Sequence, residues 1–256
     1  MTEFGNPWGE GGQYRPLAWE TDNATSVPAP ALEPVTPQQQ DQQNDLSGIS
    51  GNYSLGLDIS WYQQGIDWDK INDEVIWKGH ALGKVSFIYI KVTQGLVYQN
   101  SLALNQAQNA VKNNIPIGYY HFAEPVVGSA IKEAKYFNDA TSDLPNASLF
   151  PMLDFEWDKM ALTKQEAYDW INEFFQNVDS VLLYSGQPYL NEHLPENHDL
   201  GRLTLWLSNY NPESQVIIPS GWSDWSIWQF AGEEGRHPAF NGPVDMDLAK
   251  KIPFYY

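Results

Sequence analysis

The sequence predicts an α/β protein built on an irregular TIM-like β/α barrel, and three observations carry that prediction. Eight short, nearly continuous apolar runs follow one another from residue 55 onward, as expected of parallel strands buried on both faces. Segments with helical apolar spacing separate the earlier runs but not the later ones. Polar and acidic residues recur where the runs end, and active sites of β/α barrels lie at the C-terminal ends of their strands.

In order, the predicted strands cover 55–60, 85–92, 115–122, 149–156, 180–184, 203–207, 225–230 and a short 244–248. Residues 102–113 and 130–140 repeat apolar side chains at helical spacing, and 163–178 opens with Thr163 and Glu166 placed as a capping box. The later connections are rich in Pro, Gly and Asn and read as loops. The expectation is therefore about eight strands, with helices mainly in the first half of the barrel.

Residues 1–54 differ from this pattern and read as an extended acidic arm and linker, leaving 55–256 as the barrel domain. Seven acidic residues stand there against the single Arg15, and Pro28, Pro30, Pro34 and Pro37 lead into QQQDQQ. Such a composition cannot bury enough apolar surface to fold alone. Phe4, Trp8, Tyr14, Leu17 and Trp19 nevertheless equip residues 1–22 to anchor on a partner surface.

A formal charge of −18 excludes nucleic acid as a partner, because neutralising phosphates takes clustered Lys and Arg. With no Cys there is no thiolate chemistry and no Cys-based metal site, and no cofactor or metal is read from the chain. The N-terminus carries no basic stretch followed by an apolar one, so no signal peptide and no membrane insertion are expected.

The chemistry concentrates on Asp154-Phe155-Glu156, which closes the run LFPMLDFEW. In a strand, alternate residues project to one side about 6.6 Å apart, which turns both carboxyls toward the barrel axis. Two carboxyls held close cannot both ionise easily, and one kept protonated near neutral pH is the acid that a glycosidic oxygen needs. Taken alone, the tripeptide is more commonly a solvated strand end. Asp58 in GLDISWYQ, His121 in GYYHF, and Asp245 and Asp247 in VDMDL strengthen it, because they cluster at strand ends of the same barrel. Each has a plainer explanation: a turn cap for Asp58, a hydrogen-bonded core histidine for His121, an Asx-turn for Asp245.

The ordered series GLDISWYQQGIDWDKI, FIYIKVTQG, IPIGYYHFA, FPMLDFEWD, VLLYSG, LTLWLSNY, WSIWQF and GPVDMDLA resembles the glycoside hydrolase family 25, or Chalaropsis-type, lysozymes over about residues 55–248. The resemblance implies cleavage of the β-1,4 bond between N-acetylmuramic acid and N-acetylglucosamine in bacterial peptidoglycan. By position, Glu156 is similar to the family's general acid/base. Asp154 matches the partner that attacks the anomeric carbon or orients the 2-acetamido group, and Asp58 and Asp245 match the acids flanking the cleft. Tyr119, His121, Tyr184, Trp206, Tyr210 and Gln229 fall at positions that resemble sugar-contacting or cleft-lining ones, although Trp206, with apolar neighbours, is better read as core.

Two positions depart from the family pattern. Gln94 in KVTQG stands where Glu is usual, and Asn100 in YQNS where Asp is frequent, each keeping shape while losing charge. Fewer like charges imply carboxyl pKa values below those of the usual site, and so weaker or acid-shifted activity. They also motivate a second reading, a non-enzymatic glycan-binding or structural virion protein on a lysozyme scaffold. The expected setting is a phage lysozyme, in the virion or in the host cytoplasm before release, with residues 1–22 meeting phage structural proteins.

Overall fold

The computed structural model describes residues 53–180, 182–211 and 215–255. The predicted arm and linker thus lie outside the described residues, apart from the last two positions. Strand β1 spans Ser54–Ile59, and a short hairpin follows, β2 (Val75–Trp77) with β3 (His80–Gly83). Next come β4 (Val85–Gln94), β5 (Tyr98–Gln99), helix α1 (Ala103–Lys112), β6 (Ile117–Phe122), α2 (Ala130–Thr141) and β7 (Met152–Asp154). The chain continues through α3 (Lys164–Phe175), β8 (Leu182–Gly186), α4 (Gln187–His193), β9 (Thr204–Ser208), β10 (Ile227–Ala231) and β11 (Asp245–Ala249).

Eight strands close a barrel in the order β1, β4, β6, β7, β8, β9, β10, β11, with β11 returning to β1. All neighbours run parallel except β11, which is antiparallel to both β1 and β10. Reversal places the start of β11, rather than its end, beside the C-terminal end of β1, where Asp58 pairs with Asp245.

Side-chain alternation divides the core in two. Phe87, Tyr89, Tyr120, Met152, Leu182, Tyr184, Trp206, Ile227 and Ala249 fill the barrel interior. Ile88, Ile90, Leu153, Leu183, Leu205, Met246 and Leu248 face outward, in one core with the buried stripes of the helices. Those stripes repeat at helical spacing: Ala103, Ala107 and Ala110 on α1, Ala130, Ala134 and Phe137 on α2, and Ala167, Trp170, Ile171 and Phe174 on α3. Two glycines make room for the central rings. A Cβ on Gly56 would fall 2.1 Å from the Phe87 ring, and one on Gly118 would fall 2.3 Å from the Tyr89 ring. The Thr163–Glu166 capping box forms as expected, with the Glu166 carboxylate accepting from Thr163 N at 2.8 Å.

Three local departures have physical causes. β7 is shorter than its apolar run because Pro151 has no N–H to donate, and Phe150 N turns instead to Pro253 O. The β2–β3 hairpin turns on Lys78 and Gly79, both at positive φ, and Lys78 lies 4.6 Å from the Trp77 ring centroid. Helix α4 occupies a connection expected to be a loop, with Pro in its first turn, where a missing N–H costs nothing.

Candidate active site

The end of the barrel where the parallel strands finish is acidic. Asp58 ends the inward-facing positions of β1, Asp154 ends β7, Glu156 follows two residues on, and Asp245 begins β11. Asp247 sits one step deeper on the same inner face, opposite Gly56. Asp58 and Asp154 are each 6% exposed and Asp247 is fully buried.

Few donors compensate these carboxyls. Gln229 on β10 gives its Nε2 to Asp58 Oδ2 at 2.8 Å, while its Oε1 accepts the Tyr184 hydroxyl at 2.9 Å and the Tyr210 hydroxyl at 2.8 Å. One amide therefore orients an acid from β1 and two phenols from β8 and the segment after β9. Trp206 Nε1 donates to Asp247 Oδ1 at 3.0 Å, so its ring is packed in the interior while its polar edge serves the cluster. Asp154 Oδ1 and Asp247 Oδ2 are buried with no hydrogen-bond partner among the described residues.

Burial without full compensation favours the neutral form of a carboxyl. Burial is accordingly the largest influence on every member of the cluster. It raises Asp58 to about 6 against the opposing pull of the Gln229 amide and of Lys91. Glu156 rises to about 7, from burial first and the Asp58 charge second. Asp154 lies well above the ordinary carboxylate range, pushed by burial and then by Glu156, and burial likewise raises Asp245 and Asp247.

Lys91, inward-facing on β4, is the cation of the site. Its Nζ donates to Gln94 Oε1 at 2.7 Å and lies 4.3 Å from the Phe122 ring centroid. Burial lowers its pKa, and Asp154, Glu156, Glu124 and Asp58 act in the opposite direction. Gln94 in turn donates its Nε2 to Glu124 Oε1 at 2.8 Å.

Two expected site residues face the wrong way. Tyr119 belongs to the outer core, and its hydroxyl donates to Pro145 O at 2.6 Å. His121 is fully buried outside the barrel, stacked on Phe174, with Nδ1 2.8 Å from Thr93 Oγ1 and Nε2 3.0 Å from Glu133 Oε2. Burial lowers its pKa, so it is a neutral core histidine. Tyr120, between them, is the residue that points inward. Asn100 is likewise structural. Its Nδ2 donates to Lys91 O at 2.8 Å and to Gln106 Oε1 at 3.1 Å, and its Oδ1 accepts Leu102 N ahead of α1. An Asp there would oppose oxygen to oxygen.

Lys91, Tyr120 and Glu124 are the site groups that the sequence did not single out. A lone cation inside the apolar run FIYIKV was the available signal for the first. Near the mouth, Trp61 and Tyr62 form an edge-to-face pair, Tyr62 is 75% exposed, and Tyr98 lies within electrostatic reach of it. Among the described residues no group of three or more His, Asp or Glu side chains is arranged to hold a metal ion, and no helix is long and apolar enough to cross a membrane.

A closed β/α barrel whose rim buries paired carboxyls, one of them raised to about 7, defines a class of protein, the barrel glycoside hydrolases. Residues 57–237 match the glycosyl hydrolases family 25, and the chain belongs to that family. It is 27% identical over 216 residues to Lysozyme M1 of Streptomyces globisporus, covering 79% of this chain and 68% of the relative. To the N,O-diacetylmuramidase of Chalaropsis sp it is 26% identical over 209 residues, covering 74% and 95%. Its fold is shared with the bacterial lysozyme from Streptomyces coelicolor at a TM-score of 0.66 and 23% identity, covering 80% and 94%.

Proposed function

We propose that this glycoside hydrolase is an N-acetylmuramidase that cleaves the β-1,4 bond between N-acetylmuramic acid and N-acetylglucosamine of peptidoglycan, with retention at the anomeric carbon. The observation that carries this reading is the burial of Asp154 and Glu156 together beside Lys91 in a barrel of this family. Glu156, with about half of its population protonated near pH 7, is the acid that protonates the leaving oxygen and afterwards the base that activates water. Asp154 supplies the negative charge against the developing oxocarbenium ion. Asp58, oriented by Gln229, and Asp245 flank the cleft, with Tyr184, Tyr210 and Gln94 as sugar-facing polar groups. Trp61, Tyr62 and Tyr98 offer ring faces to the pyranoses.

The pH dependence follows in sign. Activity needs Glu156 protonated, so it falls as pH rises through about 7. It also needs the Asp154 charge, so it falls at low pH as that carboxyl, raised by burial and by Glu156, takes up its proton. Reducing-end release from purified peptidoglycan is therefore expected to trace a bell whose alkaline limb falls through about pH 7. Absence of release at every pH from about 4 to about 8 would overturn the reading.

The aromatic residues of positions 1–22 support a phage setting in which that segment docks on a virion protein. Deleting residues 1–22 is expected to remove the protein from particles and leave hydrolysis unchanged. Undiminished incorporation would count against the docking role.

A further inference from the structure

Lys91 has no part in the reading above beyond its presence, yet its surroundings are unusual for a lysine. Its side-chain hydrogen bond among the described residues goes to a neutral amide, Gln94 Oε1, and rings cover its flanks, Phe122 at 4.3 Å and Tyr98 at 5.6 Å. The amide is itself held. Gln94 Nε2 is bonded to Glu124, whose backbone N–H donates to Glu133 Oε2 at 3.0 Å, and Glu133 also accepts the Ser129 hydroxyl at 2.7 Å and lies 3.0 Å from His121 Nε2. A buried network behind the barrel wall thus fixes the strand end that carries the ammonium. Burial lowers its pKa while Asp154, Glu156, Glu124 and Asp58 raise it, and the inward-facing ammonium so kept turns toward the carboxyl cluster.

We propose that Lys91 is a positioning residue whose ammonium, held by the Gln94 amide, sets the pH range over which the Asp154 and Glu156 pair carries one proton. The proposal rests on that pair being the catalytic one. Gln94 matters because a carboxylate in its place would draw the ammonium into an ion pair and add a like charge to the cluster. The groups that face the pair are Asp58 from β1, Lys91 from β4, Tyr120 from β6 and Glu124 after it, Tyr184 from β8, Tyr210 after β9, and Asp245 and Asp247 from β11. Lys91 is the cation in that set.

Removing a positive charge raises neighbouring carboxyl pKa values, so both limbs of the pH profile should move to higher pH. Lys91→Met is expected to shift them by about one pH unit and to lower the maximal rate. Gln94→Glu, which keeps the lysine, should shift them the same way by a smaller amount, and Lys91→Arg should leave their positions near those of the wild type. The measurement is kcat/KM on solubilised peptidoglycan across pH, with folding followed by circular dichroism. Limbs that stay in place in a folded Lys91→Met overturn the proposal. Should that variant not fold, unmoved limbs in Gln94→Glu overturn it instead. An inactive wild type would refute the muramidase reading, a different outcome from active enzyme with unmoved limbs.

Discussion

Glu156→Gln is expected to lower kcat by about 10²- to 10⁴-fold while leaving KM nearly unchanged, because general acid catalysis acts on the transition state and the amide keeps the shape of the acid. The variant should also be more stable at alkaline pH. A carboxyl raised from 4.5 to about 7 by burial opposes folding once it is ionised, since the unfolded chain releases that proton more easily. The stability it offers is present at low pH and lost as pH rises through about 7, so replacing it should add roughly 3 kcal/mol at pH about 8. Thermal melts and single-turnover assays on one preparation would show both effects. Activity within about tenfold of wild type would remove Glu156 from the acid role.

Asp154→Asn is the second large effect. This carboxyl has a buried oxygen without a hydrogen-bond partner among the described residues, and the charge of Lys91 acts to keep it ionised. Asn keeps the volume and removes the charge. Since that charge is needed as the sugar ring becomes cationic, kcat should fall by about 10²- to 10³-fold with little change in binding. Asp154→Ala in the presence of azide separates the two routes to retention. Recovery with a glycosyl azide product would indicate direct attack by Asp154, and no recovery would favour the 2-acetamido group. A kcat for Asp154→Asn close to that of wild type would exclude both.

Much of the barrel was legible because a strand buried on both faces must be apolar along its whole length, and few other elements are. The runs 85–92 and 203–207 show this plainly, and 149–156 shows where it fails, since a proline inside an apolar run still shortens the pairing. The rim carboxyls were legible for the complementary reason, an acid being conspicuous at the end of such a run. The facing of Tyr119, Tyr120 and His121 was not. Every residue of GYYHF can be buried on either side, so the run holds no polar alternation from which to read the phase, and an error of one residue turns every side chain to the opposite face. Nor could the role of Lys91 be read locally, because a buried cation acquires meaning from strands far away in sequence. The direction of β11 was hidden too: a five-residue strand looks alike whether its neighbours run with it or against it.

That reversed strand has a consequence for how the molecule comes to exist. β11 is the last barrel strand of the chain, it lies between β1 and β10, and it delivers Asp245 beside Asp58. Until it docks, β1 and β10 present unpaired backbone edges, the kind of surface on which chains aggregate, and the cluster lacks one of its walls. Closure joins segments from the two ends of the domain, a slow step in loop-entropy terms. Hydrolytic competence and the disappearance of the open edges are therefore one event, so a chain cut short before β11 is a sticky intermediate and not a weakened enzyme.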